Sequence, residues 1–434
     1  MTDHAARAAA GGAGRRAADA VGRRSRAGGL GPVVGVAAAG AAVGVALERM
    51  TVGRSVRRRA RLALDTAGPF GTLRGTPVTV TAEDGTELYC ETEPGPEQRE
   101  RPRRRYRDGR WRTGPLRPRR RAVPAPLTVV FCHGYCLTQD SWHFQRAALR
   151  GRVRAVYWDQ RSHGRSGLGR AGAAGEPVGI DRLGRDLKAV LDALVPEGPV
   201  VLAGHSMGGM TVMAFADQYP QYVRERVAGV MLVGTSAGRL GTVTLGLPAV
   251  GARALHRVVP GLLRALSTQV DLVERGRRAT ADLFATVVKR YAFGSYVDPV
   301  VARFAERMLE STPIDVVAEF FPAFTQHEKA EALAALEGVP TLVLAGDGDL
   351  LTPADHSAAI AEALPDAVLV VVEDAGHLVM MEHPGTVNRE MAALLVRAAE
   401  RAGAPLPDAV RESARGPEDG PARRPKGGPP PGAA

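Results

Sequence analysis

Six short apolar runs punctuate the chain: Leu127–Cys132, Val153–Trp158, Val200–Ala203, Val227–Val233, Thr341–Ala345 and Ala367–Val372. Continuous apolar runs of this length, rather than alternating ones, predict strands buried on both faces. Segments of helical period lie between and after them, at Leu183–Leu194, Thr211–Ala216 and Thr386–Arg401. Strands alternating with amphipathic helices predict an α/β fold, a mostly parallel sheet flanked by helices. Upstream, residues 76–93 alternate polar and apolar around Asp84-Gly85, which predicts a β-hairpin.

The alternation stops between 239 and 332. Leu262, Leu263 and Leu266 fit one helical face, as do Val287, Val288 and Tyr291, and Phe304, Met308 and Leu309. This predicts a helical cap over 239–332, inserted between two parts of the α/β core at 76–238 and 333–402. A cap would exclude water and give a substrate an apolar wall. Residues 1–26 and the Pro/Gly-rich 403–434 show no apolar periodicity and read as disordered tails.

Residues 27–47 hold 21 positions without a charge, inside a segment 27–61 that ends in arginines. That length can span a bilayer, and Gly31/Gly35 and Gly40/Gly44 would suit close helix packing. A membrane anchor is therefore the first expectation, giving a membrane-associated protein. The stretch is mostly Ala, Gly and Val, so a soluble helix on a cytoplasmic protein and an export signal are the competing readings. Arginines on both sides leave an orientation undecided.

Hydrophobic residues make up 45% of the chain, enough for a sizeable core. The net charge of +11 is local: residues 1–61 carry +9 and residues 99–121 carry +10, leaving a net acidic remainder. The Arg-rich insert 99–121, with Tyr106 and Trp111, reads as a solvated hairpin loop or as a contact for an anionic membrane surface. Nucleic-acid-binding motifs are missing elsewhere, so no nucleic acid partner is expected; the oligomeric state is left open. Three cysteines, Cys90, Cys132 and Cys136, make no disulfide framework, and Cys132-x3-Cys136 has no partner ligands for zinc. Structural thiols and no metal are expected.

The strand at Val200 runs into Gly204-His205-Ser206-Met207-Gly208-Gly209, and a helix-like run follows. A strand, a tight glycine turn and a helix place the Ser206 hydroxyl at an exposed apex, over a helix N-terminus suited to developing negative charge. A serine nucleophile needs a base, and the base an orienting carboxylate. His377, in Asp374-Ala375-Gly376-His377 after the last strand, is the base candidate. His133 and His205 lie inside Gly-rich turns, and His143, His256, His327, His356 and His383 have helical or surface contexts. For the carboxylate, Asp347, Asp349 and Asp374 compete; Gly234-Thr235-Ser236 offers none. The oxyanion donors would be the N–H groups of Met207 and Tyr135, the latter after His133-Gly134.

Together, Phe131-Cys132-His133-Gly134, Asp159 to Ser166, Gly204 to Gly209, Gly346-x-x-Asp349-x-x-Thr352-Pro353 and Gly376-His377 resemble the α/β-hydrolase superfamily, across 76–402. The resemblance implies the α/β-hydrolase fold and a triad in the order Ser206, Asp349, His377, and so selects Asp349. Ser162 departs from the glycine many members carry there. Ser206 argues against epoxide hydrolases and dehalogenases, which use an aspartate. The activity implied is a lipase-like serine esterase acting on an apolar small-molecule ester or lipid, with no cofactor. An acyltransferase or a cofactor-free haloperoxidase would use the same triad; a ligand-binding member with an idle triad is the non-enzymatic alternative.

Overall fold

A computed structural model of the protein describes residues 63–65, 68–96, 125–169, 178–248, 257–259, 261, 262, 265, 281–416 and 422–423. The chain divides into two units, Met1–Thr66 and Ala67–Ala434. Of the first, only a helical turn at 63–65 is described; the elements below belong to the second. The expected tail 1–26, the apolar segment 27–61 and the Arg-rich insert 99–121 lie outside the described residues. Among the described residues, no helix is long and apolar enough to cross a membrane.

The apolar runs form one sheet. Its strands are β1 (Thr76–Thr81), β2 (Glu87–Glu93), β3 (Thr128–Cys132), β4 (Arg154–Trp158), β5 (Val200–His205), β6 (Val227–Val233), β7 (Thr341–Gly346), β8 (Val368–Val372) and the two-residue β9 (Ala422–Arg423). They stand in the order β1-β2-β4-β3-β5-β6-β7-β8-β9. Pairing is parallel from β4 through β8, while the β1–β2 hairpin adds antiparallel strands at one edge and β9 at the other. The chain moves outward from β3 to β4 and then crosses to β5 on the other side of β3. Loops leaving the carboxyl ends of β3 and β5 therefore part there, which opens a crevice of the kind where open α/β sheets bind ligands.

Helices cover both faces: α1 (His143–Leu149), α2 (Ile180–Leu194), α3 (Met207–Gln218), α4 (Pro220–Arg226), α5 (Ala281–Ala292), α6 (Pro299–Ser311), α7 (Ile314–Thr325), α8 (Ala354–Ala363), α9 (Val379–Glu382), α10 (Pro384–Ala402) and α11 (Asp408–Ser413). Because successive strand residues point to opposite faces, Val129 and Phe131 pack with Leu394 and Leu395 of α10. Val130 and Cys132 pack with Leu187 and Leu191 of α2 and Phe215 of α3. Both sides of the inner strands need apolar residues, which is why their sequence runs do not alternate.

Between β6 and β7 every described element is helical, α5 to α7 with short 3-10 turns. The segment leaves and returns through one gap: Lys329 N–H donates to the Ala237 carbonyl at 2.7 Å, and Arg239 N–H to Glu328 Oε1 at 2.9 Å. Helix α7 packs Val316, Phe320 and Ala323 against Met207 and Met210 of α3. Val287, Val288 and Tyr291, expected on one face, all line one cavity, with Val288 buried at 6% exposure and Val287 toward its open side at 45%.

Other expectations need correction. The stretch 403–434 is not featureless, because Ala404 and Val410 are buried and Leu406 packs beside them, docking α11 on the core. His327 is neither helical nor at the surface but buried in a loop, while His143 and His356 lie in helices as expected and are buried there. The sequence pattern also gave no sign of an ion-pair network beneath α1. There Arg146, 1% exposed, donates from Nε to Glu93 Oε1 at 2.8 Å and from its terminal nitrogen to Glu91 Oε2 at 2.5 Å. Arg146→Met leaves two buried carboxylates short of a cation, so it is expected to cost about 3–5 kcal/mol. Urea unfolding checks this, and an unchanged midpoint would refute it.

Candidate active site

Ser206 sits between β5 and α3 at φ 51° and ψ −119°, a conformation that costs a non-glycine residue about 1–3 kcal/mol. Backbone bonds hold it there. Ser206 N–H donates to the Val233 carbonyl at 2.9 Å, and its own carbonyl accepts from Gly209 N–H at 2.9 Å and Thr235 Oγ1 at 2.7 Å. Two flanking glycines are required by contact rather than by φ. A Cβ on Gly204 would stand 2.4 Å from the Gly208 carbonyl oxygen, and one on Gly208 only 2.1 Å from that of Cys132. The helix thus begins directly against the end of β3.

The loop after β3 is fixed from within. Gln160 N–H donates to His133 Nε2 at 2.9 Å, so His133 carries its proton on Nδ1, which donates to the Gly134 carbonyl at 2.8 Å. Gln160 also donates to the His133 carbonyl at 2.6 Å and accepts from Thr211 of α3 at 2.7 Å, tying two loops to the helix. Burial, aided by His163 and His205, holds His133 neutral with its pKa lowered to about 3. Tyr135 follows in this loop; its hydroxyl donates to the Val317 carbonyl of α7 at 2.5 Å. Cys136, at φ 57°, turns the chain back toward Leu137.

His377 and Asp349 meet at the carboxyl ends of β8 and β7. His377 Nδ1 lies 2.8 Å from Asp349 Oδ2, and both residues are buried. Asp349 also accepts from Leu351 N–H at 2.8 Å, Thr352 N–H at 3.0 Å and Thr352 Oγ1 at 2.9 Å. Burial alone would raise the carboxyl pKa; the His377 ring and these donors outweigh it and hold Asp349 below the ordinary value. With Nδ1–H given to the carboxylate, a neutral His377 presents Nε2 as the acceptor. The other two carboxylate candidates stand apart from the ring. Asp347 is exposed and accepts from Ala375 N–H at 3.4 Å, while Asp374 turns the loop at φ 54°.

Ser206, His377 and Tyr135 line one cavity of about 450 Å³. Most of its other walls are apolar, including Leu137 and Met210 from the sheet side and Leu240, Val288, Leu309 and Phe324 from the helical segment. Met207 opens α3 beside Ser206 with its side chain fully buried. Cys136 and Thr352 also line the cavity and were missed by sequence reasoning. Thr352 had a readable signal, three residues after Asp349 at a helix start; a buried cysteine has none. Metal-binding clusters of three or more His, Cys, Asp or Glu are absent among the described residues.

Comparison with known proteins agrees with this architecture. A sequence model of one family, described as alpha/beta hydrolase fold, matches residues 128–384. A dihydrolipoyllysine-residue acetyltransferase component of an acetoin cleaving system from Pseudomonas putida is 30% identical over 62% of this chain, and the match spans less than two thirds of that relative, 63%. A non-heme haloperoxidase from Rhodococcus erythropolis is 26% identical over 73% of this chain and 98% of its own length. A thermophilic esterase from Thermogutta terrifontis superposes with a TM-score of 0.52 at 24% identity, covering 74% of this chain and 98% of that one; at that identity the likeness speaks for the fold alone.

The depressed Asp349 pKa has a consequence for stability. A carboxyl whose folded pKa is lowered contributes stability that is fully present above its unfolded value, about 3.9, and lost as pH falls through the folded pKa. The stability gap between wild type and Asp349→Asn should therefore be constant near neutrality and shrink below about pH 4. Urea midpoints across pH would test this; a gap that widens on acidification contradicts it.

Proposed function

The chain belongs to the alpha/beta hydrolase fold family, and on that footing we propose that it is a serine hydrolase cleaving a carboxylic ester, or similar acyl bond, of an apolar small molecule or lipid. The observation that carries the reading is the buried His377–Asp349 pair opening onto the same apolar cavity as the strained Ser206. His377 Nε2 takes the Ser206 proton as Oγ attacks the ester carbonyl. The Met207 and Tyr135 N–H groups hold the oxyanion, and His377 returns the proton to the departing alcohol. Water, deprotonated by the same nitrogen, then releases the acid from the acyl-enzyme. Asp349 keeps His377 in the required tautomer, and the steps need neither metal nor cofactor. The helical segment 239–332 acts as a cap that shapes the acyl pocket.

Among the described residues the cavity walls carry no Asp, Glu, Lys or Arg, which supports an apolar acyl group over a charged one, since a charged group would lose hydration without gaining a partner. The haloperoxidase relative supports a second reading in which peroxide replaces water and a peracid leaves the acyl-enzyme. Peracid formation from acetate and peroxide would mark it. An acceptor alcohol outcompeting water would mark acyl transfer instead.

A fluorophosphonate probe should label the wild type and not Ser206→Ala, with both proteins folded by circular dichroism. Unlabelled wild type would overturn the proposal. On a p-nitrophenyl ester series, kcat/KM should rise about fourfold per added methylene until the cavity is full, from about 0.8 kcal/mol per buried methylene. A series that falls from acetate onward would rule out the apolar acyl pocket.

A further inference from the structure

Glu382 belongs to the one-turn helix α9, five positions after His377, and its carboxylate bridges two parts of the chain far apart in sequence. Its Oε2 accepts from Gly376 N–H, the residue before His377, at 2.7 Å. Its Oε1 accepts from Ser295 N–H at 2.6 Å and Ser295 Oγ at 2.7 Å, and both oxygens lie 3.1 Å from Gly294 N. Gly294 and Ser295 follow α5 after one intervening residue, Phe293, and α5 is the helix that supplies Val288, Tyr291 and Ala292 to the cavity wall.

The two backbones meet where Glu382 joins them. Leu378 N–H donates to the Ala292 carbonyl at 2.8 Å. A Cβ on Gly376 would come within 2.6 Å of Gly294 N, and one on Gly294 within 2.6 Å of the Ala375 carbonyl carbon. This contact has no room for side chains, so it depends on hydrogen bonds, and charge-assisted bonds to a carboxylate are the strongest of these.

We propose that Glu382 is a positioning residue that clamps the end of α5 to the His377 loop, so that the cavity wall and the general base are held in register as one piece. The proposal rests on the serine-hydrolase reading for its effect on rate. Glu382 touches neither His377's ring nor the cavity, so it acts through Gly376 on one side and through Ser295 on the other. Both carboxylate oxygens accept, so a glutamine would present an amide N–H₂ to a donor on one side and release that half of the clamp.

The test compares wild type, Glu382→Ala and Glu382→Gln below their melting temperatures. Hydrogen exchange by mass spectrometry should quicken over 292–296 and 374–378 and stay unchanged in the strands. On a p-nitrophenyl ester, kcat should fall about 10- to 100-fold, the cost of a misplaced base, with a smaller rise in KM. A residue that merely stabilised the fold would lower the melting temperature and leave kcat of the folded protein intact. Unchanged exchange in both segments, or kcat within twofold of wild type, overturns the proposal. If Glu382→Ala fails to fold, Glu382→Gln carries the same two measurements. A wild type inert toward probe and ester would sink the hydrolase reading, while exchange would still decide whether Glu382 holds the loop.

Discussion

The contact between Gly208 and the Cys132 carbonyl sets the geometry of everything around it. Neighbouring strands lie about 4.8 Å apart, and α3 must start within that spacing for its first turn to reach the end of β3. A side chain of any size at 208 would meet backbone at 2.1 Å, which cannot yield as a flexible side chain would. With the helix drawn in, the chain between it and β5 is left too short for relaxed dihedrals, and Ser206 takes the strain. Val233 and Thr235 at the end of β6 then hold the turn from the other side. Three adjacent strands thus define one residue's position, and the burial of the sheet absorbs the local cost.

Electrostatics sorts the histidines around this turn. Burial lowers the pKa of His133 and His205 to about 3 and of His163 to about 4, so all three are neutral at ordinary pH. His205 donates from Nε2 to the His377 carbonyl at 2.9 Å, which makes it a strut for the loop rather than a proton carrier. His377 differs by its neighbour: its Nδ1 meets a carboxylate where the others meet carbonyls or backbone N–H groups. A positive charge on that ring would be compensated by Asp349, which among the four nearby imidazoles fits His377 to the proton transfer proposed for it.

Much of this was legible in the residue pattern. Continuous apolar runs in β3, β5, β6 and β7 announced strands covered on both faces, and Gly204-x-Ser206-x-Gly208 marked the sharp turn because steric constraints leave a local signature. Asp349 was harder, since Asp347 and Asp374 also follow apolar strand runs, and only the resemblance to a family separated them. What the pattern hid was tertiary. Arg146 with Glu91 and Glu93 pairs residues more than fifty positions apart, and buried charge looks like surface charge in a sequence. The burial of His143, His327 and His356, the docking of α11 through Val410, and the joining of Glu382 to Gly294 likewise depend on which surfaces meet, which periodicity does not encode.

The gap through which the helical segment leaves and re-enters the core is closed by the Ala237–Lys329 hydrogen bond. Because its two ends nearly touch, the roughly ninety intervening residues act as a closed loop whose entropic cost depends only weakly on length. Lengthening, shortening or exchanging that loop would leave the register of β6 with β7 as it is. Pocket shape and core folding are therefore separable inheritances in this chain: the apolar walls of the cavity can diversify over a scaffold that need not change with them.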